Sequence, residues 1–335
     1  MSRHKFNFPM LKLPFPMIEK TIRKLSASDV FHFSLISPEH LERIRSMRGH
    51  ALAGAEIKLA VKRPEEMEIH FTPVDANVDP FAILVKNIKK ATPQIMKNKK
   101  FAQEINGFPI KITLYRNKTI VYVPSGFDSK IALINYCFEN LQCQGISLTF
   151  EISTCQISIY QPMIDIFKQC QDLKIICSAA PSIDMANNME RFLSGVQVSR
   201  NFQLNQPPLL PLNLPPSVLS AKKLYILPLI VSMRETLLSI NCECACFYNT
   251  YVTSEDLSEF VVKWFNSDGT RFKRLKVGTP NPFRQLDLSM IPEQNIEHMD
   301  EYNIKITRTD GTFAVMYLER YLFDLRVSNE EVEFK

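Results

Sequence analysis

Residues 8–44 read FPMLKLPFPMIEKTIRKLSASDVFHFSLISPEHLERI, and the reading of this stretch decides how the rest of the chain is divided. Pro14 and Pro16 suit a helix entrance, where a missing N–H costs nothing and φ is already set. Ile18, Ile22 and Leu25 then recur at i, i+4 and i+7 on one face of a first short helix. Ser28-Asp29 offers an N-cap for a second, DVFHFSLI, with Val30, Phe33 and Ser34 on one face and Phe31 and Leu35 on another. Ser37-Pro38-Glu39 starts a third, with a cap, a proline at the first helical position and an acid in the first turn. Leu41 and Ile44 give that helix an apolar stripe, Arg43, Arg45 and Arg48 favour its C-terminal end, and Gly49 stops it. A unit of about 40 residues rarely buries enough surface to be stable alone. One apolar face is therefore expected to pack on the chain's own downstream domain and another to dock a partner. Each leucine or phenylalanine buried there contributes roughly 1.5–3 kcal/mol.

The chain has 335 residues, enough for one large domain or two unequal ones. Its nine glycines are too few for a collagen-like or linker-rich composition. The net charge of +5 is carried by residues 1–50, which hold nine Lys/Arg against four Asp/Glu. A basic N-terminal unit favours an acidic partner, while the near-neutral remainder gives no whole-chain case for nucleic acid. Eight cysteines are scattered without a C-x-x-C pair, and MSRHKFNFPM is charged and proline-interrupted rather than a secretory signal core. Reduced thiols in the cytoplasm and/or nucleus are the natural expectation. The uncharged stretch from Asn201 to Ala221 contains five prolines, and Leu224 to Met233 is only ten residues long, so no membrane span is expected.

Beyond Ala55 the pattern changes. EIKLAVKRPEEMEIHFTP predicts two strands around Pro64-Glu65-Glu66, and PIKITLYRNKTIVYVP (109–124) a hairpin turned at Arg116-Asn117-Lys118. Between them, Lys86 to Lys100 reads as a solvated helix or loop. From Ser129 helical and strand patterns alternate: KIALINYCFENL, then ISLTFEIS; YQPMIDIFKQC, then LKIICSA; DMANNMERFL, then VQVSRNFQL. After the proline-rich QPPLLPLNLPP come the strands LYIL and LLSINCECACF, the helix SEDLSEFVVKWF with Ser254 as cap, and the strand FKRLKV. YNIKITRTDGTFAVMYLERYLFDLRV predicts a hairpin turned at Asp310-Gly311 and a third strand. The expected architecture is α/β (α+β): a short three-helix unit, then an irregular leucine-rich-like β/α domain with hairpins. The expected divisions are 7–50, a β-rich connecting region at 55–125, and an α/β domain at 126–335.

No G-x-S-x-G, P-loop, G-x-G-x-x-G or H-E-x-x-H occurs, and none of the six histidines lies in a plausible catalytic constellation. An enzyme is not expected, nor is a cofactor. Cys242, Cys244 and Cys246 are spaced to place three sulfurs on one strand face. Zinc sites more often pair C-x₂₋₄-C knuckles with a second ligand pair, which is missing here. A core-facing strand is favoured over a metal site. Lys86–Lys100 lacks the interleaved aromatics of a strand-tracking nucleic-acid groove. Pro207–Pro211 fits P-x-x-P but has no flanking basic residues.

The N-terminal stretch resembles an F-box. Leu13-Pro14 matches the family's opening, Ile18, Ile22 and Leu25 its spaced aliphatics, Asp29-Val30 its middle pair, and Phe33, Ser34 and Leu35 the helix that follows. A second resemblance, to the type-two F-box-associated domain (about 195–320), rests on Asp256-Leu257, Phe260, Trp264, Arg271 and Leu275-Lys276-Val277. It continues in Arg308, Asp310-Gly311 and Ala314-Val315. The pair implies a substrate-recognition subunit of a Skp–cullin–F-box (SCF) ubiquitin ligase. Leu13, Pro14, Ile18, Ile22, Leu25, Val30, Phe33 and Leu35 would bind the Skp-type adaptor, and through it a cullin. The C-terminal domain would capture a protein substrate, whose identity and docking surface stay open. Such a receptor needs no catalytic residue. The alternatives are a non-ligase F-box scaffold and a nucleic-acid binder using Lys86–Lys100. Salt titration separates the latter, because phosphate contacts weaken steeply with salt.

Overall fold

The computed structural model describes residues 14–47, 49–63, 66–88, 102–115, 118–152, 163, 167–178, 183–205, 213–227 and 234–328. Expectations for Leu13, for the turns at 64–65 and 116–117, for most of Lys86–Lys100, for most of the 160–170 helix and for the proline-rich loop lie outside these residues. The fold is α/β, with helices and mixed sheets. Its residues divide into two compact units, Met1–Ser147 and Leu148–Lys335.

The first unit opens with three short helices, α1 (Phe15–Ile22), α2 (Ala27–Ser34) and α3 (Pro38–Ser46). The cap of α2 is Ser26, whose hydroxyl accepts from the Asp29 N–H at 3.1 Å. The helix thus begins before the Ser28-Asp29 pair that was expected to cap it, and Asp29 serves as its first-turn acid. Ser37 caps α3 as expected, with Pro38 in the first turn. Strands β1 (Glu56–Arg63), β2 (Glu66–Thr72), β3 (Phe81–Asn87), β4 (Ala102–Ile105), β5 (Phe108–Tyr115) and β6 (Lys118–Val123) pair in the order β4-β5-β6-β3-β2-β1. Both expected strand pairs form antiparallel, β1 with β2 and β5 with β6. Strands β3 and β4 are not among the expected strands. The β4–β5 turn is Asn106-Gly107, at φ 48° and 82°, the left-handed pair that a tight hairpin demands.

Helix α4 (Asp128–Leu141) closes this unit. It packs with the N-terminal helices instead of opening the next domain, so the chain divides after Ser147 and not near residue 125. Tyr136 Oη donates to Ser34 Oγ at 2.8 Å, and Arg45 Nε donates to Asn140 Oδ1 at 2.6 Å. Gln142 Nε2 donates to the carbonyls of Arg45 and Met47, at 2.8 and 3.2 Å, capping acceptors that the end of α3 leaves open.

Strand β7 (Ile146–Ile152) spans the division, and the second unit carries β8 (Gln169–Cys177), α5 (Ile183–Ser194), β9 (Gln197–Asn205), α6 (Pro216–Leu219), β10 (Lys223–Leu227), α7 (Arg234–Ser239) and β11 (Cys244–Phe247). It continues with α8 (Ser254–Phe265), β12 (Arg274–Gly278), β13 (Ile296–His298), β14 (Asn303–Thr307), β15 (Phe313–Glu319) and β16 (Leu322–Ser328). Strands β8 to β12 run parallel, and β12-β16-β15-β14-β13 continue antiparallel to an outer edge at β13. Two expectations shift. Leu237–Ser239 belongs to α7, so the strand expected over residues 237–247 is confined to Cys244–Phe247. The cap of α8 is Thr253, in a reciprocal box with Asp256 (3.2 and 3.0 Å).

Several residues of the second resemblance are buried, while Arg271, Asp310 and Gly311 are exposed. Leu257, Phe260 and Trp264 form the buried face of α8, and Leu275, Val277 and Ala314 are buried in the strands. The Arg308 guanidinium lies 5.7 Å from the Trp264 ring, donates to the Gly269 carbonyl at 3.1 Å and pairs with Asp310 at 3.0 Å.

Asp324, 5% exposed, accepts a two-pronged contact from Arg274 (2.9 and 2.7 Å) and another from Arg326 (3.1 and 2.9 Å). Burial pushes its pKa up, but the hydrogen bonds and charges of the two arginines prevail and hold it below the ordinary value. Asp324→Asn is therefore expected to cost about 1–3 kcal/mol at neutral pH. With its folded pKa depressed, the carboxylate's contribution is full above its unfolded pKa of about 3.9 and disappears as pH falls through the folded value. Urea unfolding of both proteins should show the gap closing on acidification. A gap unchanged in acid would contradict this role.

Candidate partner-binding surfaces

Helix α1 is entered through Pro14, whose carbonyl accepts from the N–H groups of Met17 and Ile18 at 2.9 and 3.2 Å. From there the helix divides lengthwise. Ile18 and Ile22 are buried and form a small core with Met47, against which Leu25 and Phe33 pack half-buried. On the adjoining flank Met17, Lys20, Thr21 and Lys24 follow at i, i+3, i+4 and i+7. They line a shallow hollow of about 300 Å³ with Leu25. Met17 is 54% exposed, Lys20 and Lys24 are exposed, and Ile36 beyond the end of α2 is 55% exposed. The stripe is thus apolar in part and rimmed by cations.

Helix α2 leaves far less of its apolar surface open than its sequence promises. Val30 and Phe31 are fully buried, Leu35 and Ser34 nearly so. The Phe31 ring lies 5.8 Å from that of Phe81 on β3, which in turn stacks on Phe71 of β2 at 5.5 Å. His32 Nε2 lies 3.3 Å from the Thr119 hydroxyl on β6. Burial lowers the pKa of His32, against the nearby charge of Asp29.

Of the eight residues expected to face an adaptor, Ile18, Ile22, Val30 and Leu35 are buried within the protein, Leu25 and Phe33 are half-buried, Pro14 is exposed, and Leu13 lies outside the described residues. The surface left open comprises Met17, Lys20, Thr21, Lys24 and Ile36, which lie outside the apolar periodicity. The signal was present as the complementary stripe of α1, one position before each buried isoleucine.

The second unit offers another open surface. Along β9 to β12 and β16, Phe202, Leu204, Leu224, Ile226, Ala245, Phe247, Leu275, Val277, Phe323 and Leu325 are buried. Most residues between them emerge on the other face. One row there runs Asn201, Lys223, Cys244, Arg274 and Arg326, and the next Gln203, Tyr225, Cys246, Lys276 and Asp324. This placement corrects the expectation for the cysteines. Cys244 and Cys246 are half-buried on the open face, while Cys242 precedes the strand and is buried apart. Burial pushes the Cys242 thiol up to about 12 and raises that of Cys246, which disfavours the thiolate a metal would need. Among the described residues no group of three or more His, Cys, Asp or Glu could hold a metal ion. No described helix is long and apolar enough to cross a membrane.

No protein-family model matches the chain, and no curated protein and no solved structure matches it.

Proposed function

We propose that this chain is the substrate-recognition subunit of a Skp–cullin–F-box ubiquitin ligase. In this reading α1 to α3 are the F-box, and the parallel strands of the second unit with the helices between them are a leucine-rich-like domain that captures the protein to be modified. The observation that carries the proposal is the lengthwise division of α1. One stripe is spent on the internal core, and the other holds Met17 among lysines with nothing of the described chain over it. A helix so divided suits docking to an apolar, acid-rimmed partner surface. The starts of β8 to β12 at residues 169, 197, 223, 244 and 274 are spaced close to leucine-rich repeats, with three of the four intervals within their range. The receptor supplies proximity: it raises the effective concentration of substrate lysines at a catalyst carried elsewhere in the complex. It needs no cofactor and works in the cytoplasm and/or nucleus.

Leu13→Ala with Pro14→Ala tests the reading. The double variant is expected to lose co-purification with the adaptor and cullin while circular dichroism and thermal unfolding show the second unit folded. Adaptor capture that survives both changes would overturn the docking assignment.

A further inference from the structure

The second unit holds a preformed groove of about 730 Å³ between the loop 285–293 and one face of β13, β14 and β15. The loop is fixed from below. Ser254 Oγ on α8 accepts from the Arg284 N–H at 2.7 Å, Ser258 Oγ accepts from the Asp287 N–H at 2.9 Å, and Leu286 and Ile291 are buried anchors. Half-buried Leu288, Ile296, Ile304 and Leu318 complete an apolar lining. At the surface nearby, Met290, Met299 and Tyr302 are 74%, 53% and 44% exposed. Methionine at such a site adapts to varied apolar side chains.

Charge along the loop and β13 has one sign. From Asp287 to Glu301 the chain carries five carboxylates and no Lys or Arg. Glu297 is paired with Lys305 at 3.3 Å, and Asp300 accepts from Asn303. Glu293 and Glu301 line the groove, and neither has an ion pair among the described residues. The groove also borders the outer edge of the sheet. The Met299 N–H donates to the Asn303 carbonyl at 3.0 Å. The antiparallel alternation then turns the N–H and C=O of His298 away from β14, where an extended backbone can meet them.

We infer that this groove binds an extended peptide segment of a partner protein in which Lys or Arg alternates with large apolar residues. The apolar side chains enter between the loop and the sheet, and the cations meet Glu293 and Glu301. The inference rests on the receptor reading in taking the bound segment to belong to the captured substrate.

The test uses the intact protein without adaptor, so that its outcome is independent of F-box docking. Fluorescence anisotropy is measured with a labelled peptide alternating Lys/Arg with Leu/Phe, with the same peptide carrying Glu for each cation, and with a polybasic peptide lacking apolar residues. Only the first is expected to bind well, and Glu293→Lys with Glu301→Lys should weaken it about tenfold or more. Both glutamates are exposed, and circular dichroism checks that the double variant folds. The inference fails if the acidic or the purely polybasic peptide binds as tightly, if the charge reversal leaves affinity unchanged, if the first peptide does not bind, or if sedimentation shows the groove closed by a second copy of the chain.

Discussion

Phe31→Ala is expected to lower the stability of the protein by about 3–5 kcal/mol. The ring is fully buried and contacts Phe81 across the junction between α2 and the first unit's sheet. Its backbone carbonyl accepts from Ser34 Oγ at 2.6 Å, and Ser34 in turn accepts from Tyr136. Removing the ring leaves a cavity bounded by a sheet and a helix that are each held by their own hydrogen bonds, so collapse around it is limited. Phe31→Leu keeps most of the volume and should cost much less. Urea or thermal unfolding of the three proteins measures the ranking. A loss below about 1 kcal/mol for Phe31→Ala, within the range of a surface change, would mean that α2 does not rest on the sheet as described.

The second large effect is on binding rather than on folding. Met17→Glu with Lys20→Glu places two carboxylates on the open stripe of α1 and removes an apolar contact and a cation. If this stripe docks an acidic partner, the double change should reduce adaptor affinity about 100-fold or more, the scale of a hot-spot residue. Both side chains are exposed, so unfolding should be almost unchanged. Isothermal titration against a Skp-type adaptor and parallel unfolding curves give the two readouts. The contrast with Phe31→Ala is informative: that variant loses stability through α2, while this one loses partner affinity through α1 at constant stability.

Much of the fold was legible because most elements obey local rules. The alternation in β1 and β2, the i, i+4 repeat of Ile18 and Ile22, and the hairpin at Asp310-Gly311 are patterns whose period alone specifies the element. The elements that differ from expectation are short or abut segments of another character. Strand β4 spans four residues, too few for alternation to register, and β3 adjoins a basic run that drew the reading toward a solvated segment. The Asn106-Gly107 pair was a strong hairpin signal without a recognised first strand. At LLSINCECACF an apolar helix turn and a strand lie almost end to end, and composition does not mark where the period changes from 3.6 to 2.

Which residues of α1 share a face was legible, but not which face stays open. Periodicity identifies which residues of a helix share a face. It does not say whether that face meets the chain or a partner. Ile18 and Ile22 were natural candidates for docking because a three-helix unit has little core of its own. Met47, beyond the end of α3, supplies the closure for that core, and Phe81, a residue of the unread β3, supplies it for Phe31. Once those partners are in place, the stripe left open is the mixed one of Met17, Lys20, Thr21 and Lys24. A search for apolar residues alone ranks that stripe low.

The proposed function requires that the open stripe of α1 dock an SCF adaptor. Its most direct test is size-exclusion chromatography with light scattering on the intact chain co-expressed with a Skp-type adaptor. Wild-type protein should elute as a stable complex with the adaptor, and Met17→Glu with Lys20→Glu should elute as the folded chain alone. Wild-type protein that forms no complex, or a complex that persists in the double variant, would contradict the account.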